Sequence, residues 1–244
     1  MLILCNNLHL SSHLAAMNLN ARNAFLMLLS AAVFSPPAAA ADTQEWLRLK
    51  HQTIAHSSAR QVQKEEASAR ALVKAAEELG PLPGNLRYME TSLLLLAGAF
   101  EAQKRPTDEL ATRLRLLGLL EKYVGTESSD LCLPLTRLGD TYKKLGRLTE
   151  AEAAYERVLA IKEKADPEHL TGSLMKLGKH YDSVKKYSEA EATFKRLVLL
   201  YEKDGGDDNP NLKPVLGYLS AIHRKTGRDK EARAYALRAA RIRD

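Results

Sequence analysis

The chain has 244 residues, 45% of them hydrophobic but only 6% aromatic, with 27% charged and a formal net charge of +6. This is too apolar for a disordered chain, and the cations are interspersed with acids rather than gathered into the basic stripe with stacking aromatics of a nucleic-acid binder. Two cysteines, Cys5 and Cys132, are too few for a disulfide framework.

The first 41 residues are of a different kind, with one basic residue, Arg22, and no acid. An apolar run from Ala24 to Phe34 is followed by Ser35-Pro36-Pro37 and then Ala38 to Ala41. A positive end, a short apolar core, a helix break and small residues at the scissile point are the parts of a secretory signal peptide. Cleavage is expected after Ala41 or Ala40, and a start at Met17 would give a leader of ordinary length, leaving residues 1–16 as a misassigned start. The competing assignment, an uncleaved anchor, needs roughly 17 apolar residues to span a bilayer, and this run has 11. Export to a bacterial periplasm or out of the cell is therefore expected, with no membrane span after cleavage. Cys5 would leave with the leader, and no Cys stands directly after it to carry a lipid. Cys132 would remain alone, packed near the start of a helix, with a reactive thiol or an intermolecular bridge as alternatives. Loss of Arg22 takes the formal charge from +6 to +5.

From Trp46 onward, apolar residues recur with helical spacing and nowhere alternate for long, so the chain is expected to be all-α with essentially no sheet. Residues 42–244 divide into five helical hairpins, at about 43–79, 86–124, 130–164, 167–203 and 211–244. Their turns fall near Gln61, Pro106, Gly146, Lys186 and Gly227. Proline tests this map, because inside a helix it costs about 3 kcal/mol and in the first turn little. Pro81, Pro83, Pro167 and Pro210 lie between hairpins, Pro106 in a turn, and Pro134 and Pro214 near first turns. The last helix is rich in small residues, Ala232, Ala234, Ala236, Ala239 and Ala240, and carries Arg233, Arg238, Arg241 and Arg243. Either the arginines cap that helix, or its surface joins copies of the chain into a homo-oligomer.

The hairpins repeat one another. Glu109, Glu150, Glu189 and Glu231 stand 41, 39 and 42 residues apart, the last three followed by Ala151, Ala190 and Ala232. Eleven residues before each stands Gly98, Gly139, Gly178 or Ser220, and eight before the last three stands Tyr142, Tyr181 or His223. Such a period marks a stacked array, in which no hairpin buries enough surface alone and each leans on its neighbours. Two helices cross closely only where side chains are small, so Gly139 is expected to pack against Ala151, with Leu and Tyr filling the remaining space.

Leu135, Leu138-Gly139, Tyr142, Ala151 and Tyr155, then Leu174, Leu177-Gly178, Tyr181, Ala190 and Phe194, resemble the tetratricopeptide (TPR) consensus. The long repeat, with Ile161 to Lys164 leading to Asp166-Pro167-Glu168-His169, is similar to the roughly 42-residue form found in kinesin-light-chain-like TPR proteins. The fifth hairpin departs from it, with Ser220 for Gly, His223 for Tyr and Ala236 for the aromatic, and the first matches mainly by register. The resemblance implies a right-handed TPR superhelix, an α-solenoid of about five antiparallel hairpins.

No catalytic constellation stands out. The expected mature histidines, His51, His56, His169, His180 and His223, include no i, i+4 pair of the helical zinc type. His223, at a Tyr position, is expected to pack. Asp204 to Asn209 is acidic but lacks the alternating ligands and distal Glu of a calcium loop, so it is expected to be a solvated linker. No phosphate loop or nucleophile elbow is present, and Glu65-Glu66 and Glu77-Glu78 are expected to be solvated helix faces. No cofactor and no metal is expected, and the chain is expected not to be an enzyme, a repeat-borne hydrolase being a minor alternative.

What the resemblance implies instead is binding of a protein or peptide segment along a concave groove formed by the first helix of each unit. Alignment of the repeats puts Asp140, Lys143 and Lys144 on that side, then Met175, Lys179 and Asp182, then Arg224 and Lys225. Lys143, Lys179 and Arg224 would form a basic track suited to an acidic partner. Ordinary solvated lysines are the alternative. The Lys/Asn clamp for a terminal carboxylate is not reproduced, because Thr136 and Asp140 occupy those kinds of position.

Overall fold

The computed structural model describes residues 37–80 and 84–242, with side chains described from residue 42; the expected leader, Cys5 included, lies outside the described residues but for the backbone of 37–41. Ten α-helices and one 3-10 turn make up the described chain, with no strand among the described residues. The chain divides into two compact units, Met1–Gln103 and Lys104–Asp244.

The first unit contains α1 (Pro37–Ser58), α2 (Val62–Glu78) and α3 (Leu86–Ala102). Its core joins Leu49, Leu72, Ala76, Leu93 and Phe100. Trp46 is buried there and needs a partner for its indole N–H. It donates to Ser92 Oγ at 3.0 Å and meets Tyr88 edge-on at 4.8 Å. Asn85 closes the connection into α3 by donating from Nδ2 to the carbonyls of Ala76 and Gly80, each at 2.7 Å.

The second unit contains α4 (Pro106–Val124), a 3-10 turn (Ser129–Leu131), α5 (Cys132–Lys144), α6 (Leu148–Ala165), α7 (Thr171–Ser183), α8 (Tyr187–Gly205), α9 (Leu212–Lys225) and α10 (Asp229–Arg241). Three helical hairpins, α5–α6, α7–α8 and α9–α10, pack in sequence order after α4. Spacing explains the burial: in α9 the inward residues are Leu212, Val215, Leu216, Leu219, Ser220, Ile222 and His223, one helical stripe. One apolar cluster runs from Ala151 to Ile242 through all three hairpins.

At two of the recurring Gly positions the nearest neighbour is an aromatic ring. A Cβ on Gly139 would stand nearest the ring of Tyr155, and one on Gly178 nearest the ring of Phe194; neither meets Ala151 or Ala190 first. The glycine makes room for the aromatic of its own hairpin. Gly98 has nothing within 4 Å of that point, and Leu114, at the register position of Tyr155, is exposed. In the fifth hairpin Ser220 Oγ donates to the carbonyl of Ala232 at 2.8 Å, so a hydroxyl ties the helices where the other hairpins use a ring.

The recurring Glu also has a local cause. Glu150, Glu189 and Glu231 occupy the third position of α6, α8 and α10, where a carboxylate favours the exposed N–H groups of a helix start. Glu109 differs: it lies one residue deeper in α4 and is only 1% exposed. Its carboxylate accepts from Arg113 Nε at 2.9 Å and Thr141 Oγ at 2.7 Å, with Lys144 Nζ at 3.2 Å. A buried carboxylate needs such a set of donors. The acidic stretch at 204–209 is built in rather than wholly solvated: α8 runs to Gly205, and buried Asn209 donates to the Tyr201 carbonyl at 2.9 Å and accepts from the Asn211 amide at 3.0 Å.

Candidate docking face

The first helices of the three hairpins, α5, α7 and α9, carry the eight residues singled out from the sequence. Their side chains separate into two groups. One group joins neighbouring hairpins. Asp140 of α5 receives Lys176 of α7 at 2.7 and 2.9 Å, and also the phenol of Tyr155 at 2.7 Å. Asp182 of α7 receives Lys225 of α9 at 2.6 and 2.8 Å, while Lys144 reaches the buried Glu109. Burial first, and then its bond to Asp140, push the Tyr155 phenol far above its ordinary range, so it serves only as a donor there. Met175 is half-buried and packs against the apolar cluster.

Lys143, Lys179 and Arg224 form the other group. All three are exposed, and none has a carboxylate partner among the described residues. Lys179 Nζ stands 5.3 Å over the ring of Tyr218, which itself stacks on Phe194 at 4.9 Å and 5°. The cation is thus held over an aromatic shelf by its ring quadrupole and remains open to solvent. Arg137, two turns before Lys144 on α5, is also exposed without a carboxylate partner among the described residues. Between α5, α6 and α7 lies a cleft of about 230 Å³ lined by Thr136, Tyr155, Val158, Lys162, Ser173 and Lys176.

Sequence reasoning missed Lys176, Tyr155 and Tyr218 as parts of this face. A signal existed for two of them, since Arg137, Lys176 and Tyr218 share one register position, 39 and 42 residues apart. On the second helices a parallel set of bridges joins hairpins: Arg157 to Glu121, Arg196 to Glu163, and Arg238 to Glu202.

Elsewhere the chemistry is sparse. Cys132 is the first residue of α5 and half-buried, and burial pushes its thiol up, away from the reactive thiolate. Among the described residues no group of three His, Cys, Asp or Glu could hold a metal ion, and no helix is long and apolar enough to cross a membrane.

Residues 134–164 and 170–244 match family profiles described as tetratricopeptide repeat. The fold is similar to a Podosopora anserina structure described as having kinesin light chain nearly identical TPR-like repeats, with a TM-score of 0.68 at 18% identity over 81% of this chain and 94% of that one. BtubC from P. vanneervenii gives 0.66 at 19% identity, covering 84% and 88%. MamA gives 0.56 at 15% identity, covering 77% and 92%. No curated protein matches the chain by sequence. Residues 134–164 and 170–244 are thus tetratricopeptide repeats, and the fold is that of the kinesin-light-chain-like solenoids.

Proposed function

We propose that this tetratricopeptide chain is an exported, non-catalytic scaffold that holds an acidic segment of another protein along α5, α7 and α9. The fold supports protein–protein interaction, and one observation carries the finer reading. Of the charged residues on that face, Asp140, Lys144, Asp182 and Lys225 are consumed in bridges between hairpins, whereas Lys143, Lys179 and Arg224 stay exposed with no carboxylate partner among the described residues. Three open cations on three successive first helices offer charge-assisted contacts to an extended acidic ligand. The leader pattern at residues 1–41 supports export.

The test is binding of a fluorescent, extended Glu-rich peptide of about twelve residues, with a Lys-rich peptide as control. Binding to the natural chain that is lost in the Lys143→Glu, Lys179→Glu, Arg224→Glu variant, with helicity unchanged, is the expected result. Equal binding by both chains would remove the groove assignment.

Self-association is the second reading, favoured by Leu237 on α10, which is 63% exposed beside the exposed Ala236 and Ala240. Sedimentation of the natural chain and of Leu237→Glu separates the two: a monomer at high concentration disposes of the second reading.

A further inference from the structure

His180 on α7 and His223 on α9 are 1% and 4% exposed, and neither ring nitrogen of either makes a hydrogen bond among the described residues. An imidazole offers one donor and one acceptor, and leaving both unmet in a dry interior is costly. Packing does not demand it. One repeat earlier the position of His180 belongs to Thr141, 39 residues before, which is fully buried and satisfied by Glu109.

The groups facing His180 come from three helices and from the turn before α8. Glu152 of α6 has a carboxylate oxygen 3.9 Å from Nε2, and Tyr155 of α6 meets the ring edge-on at 5.4 Å. Tyr181 of α7 tilts against it at 6.4 Å. Lys143 of α5 and Lys186, which leads into α8, add positive charge, and the backbone of Leu148 acts in the opposite sense. Glu152 is already engaged by Lys186 at 2.6 Å. A protonated ring would therefore be a third cation, after Lys143 and Lys186, set against one carboxylate. Its N–H groups would have only the Leu148 backbone and a carboxylate already shared with Lys186 to turn to.

We propose that His180 and Glu152 form an acid-sensitive latch between the α5–α6 and α7–α8 hairpins: a neutral imidazole lets the joint close, and proton uptake opens it reversibly. Burial, against the pull of Glu152 and the Leu148 backbone and aided by Lys143 and Lys186, holds the His180 pKa below its ordinary value. An open joint restores that ordinary value, about 6.5, so the open form binds the proton more tightly. Closure is complete above that pH and weakens below it, by up to about tenfold in the opening constant for each pKa unit separating the two forms. His223 is placed differently, with Nε2 3.4 Å from Glu191, Tyr235 tilted over it at 5.1 Å, and Arg228 and Lys195 on the same carboxylate.

The experiment is amide hydrogen exchange in the full chain at pH 7.5 and 5.5, corrected for intrinsic chemistry, for the natural protein, His180→Thr and His180→Gln. Opening at α6 and α7 is expected to rise about threefold or more in acid for the natural chain and to stay level in both variants. An NMR titration of the natural chain, needing no variant, is expected to show one imidazole titrating below the ordinary value. Equal acid response in all three chains, no response in the natural chain, or every imidazole titrating at or above the ordinary value would each overturn the latch.

Discussion

A Cβ placed on Gly139 would stand 2.5 Å from Cε1 of Tyr155. That is closer than carbon atoms approach, so the absence of a side chain at 139 and the presence of a ring at 155 are one feature. The ring then reaches Asp140 with its hydroxyl and presents its edge to His180 of the next hairpin. Gly139→Ala must push this ring aside and is expected to destabilise the protein by about 1–3 kcal/mol. Gly217 of α9 has open space at the same point. Gly217→Ala is expected to stabilise by about 1 kcal/mol through helix propensity alone. Urea unfolding of the two variants should give opposite signs.

Lys185 holds the turn between α7 and α8 with φ of 62°, in the left-handed region where the hairpins on either side use Gly146 and Gly227. A side chain there costs about 1 kcal/mol, which glycine avoids. Lys185→Gly is expected to raise the thermal midpoint by a few degrees, and Gly146→Val to lower it.

Glu109 should be the most sensitive charged residue of the second unit. Glu109→Ala removes the carboxylate that Arg113, Thr141 and Lys144 share in a buried site, and is expected to cost about 3–5 kcal/mol. Thr141→Val removes one hydrogen bond and is expected to cost about 1 kcal/mol. Denaturant midpoints at neutral pH check both.

Hydrogen bonding from Arg228 first, against burial, with Lys195 and His223 adding to it, holds the Glu191 carboxyl down at about 2. A folded-state pKa below the ordinary 4.5 means the unfolded chain binds the proton more tightly. The stability contributed is present above pH 4.5 and lost as pH falls toward 2. Acid unfolding of Glu191→Gln should lose that part of the pH dependence. The window is separate from the imidazole range in which His180 acts.

Neighbours on α9 should behave differently. Lys225→Ala breaks the bridge to Asp182, a partly exposed pair, and is expected to cost no more than about 1 kcal/mol of stability. Arg224→Ala should leave stability within about 0.5 kcal/mol and weaken binding of the acidic peptide. A matched pair of unfolding and binding curves reads both.

Helical character and the stacked repeat were legible because they are local and periodic. Leu135, Leu138, Leu174 and Leu177 advertise an inward stripe, and Glu150, Glu189 and Glu231 recur because each starts a second helix in the same way. The role of Gly139 was half legible. Its need for a close neighbour could be read, but not that the nearest is Tyr155, whose ring folds back across the hairpin into the space the glycine leaves.

The docking face shows where the limit falls. By itself the sequence determined that the chain would be helical, would repeat, and would present Lys143, Lys179 and Arg224 at related register positions, because each of these follows from spacing within one repeat. Only the tertiary structure decided that Lys144 and Lys225 are spoken for while their immediate neighbours are not, and that His180 lies dry beside Glu152. Their partners stand 35, 43 and 28 residues away, at Glu109, Asp182 and Glu152. Contacts at that range depend on how one hairpin seats on the next, and a shift of a single residue along a helix turns a side chain by about 100° toward a different neighbour.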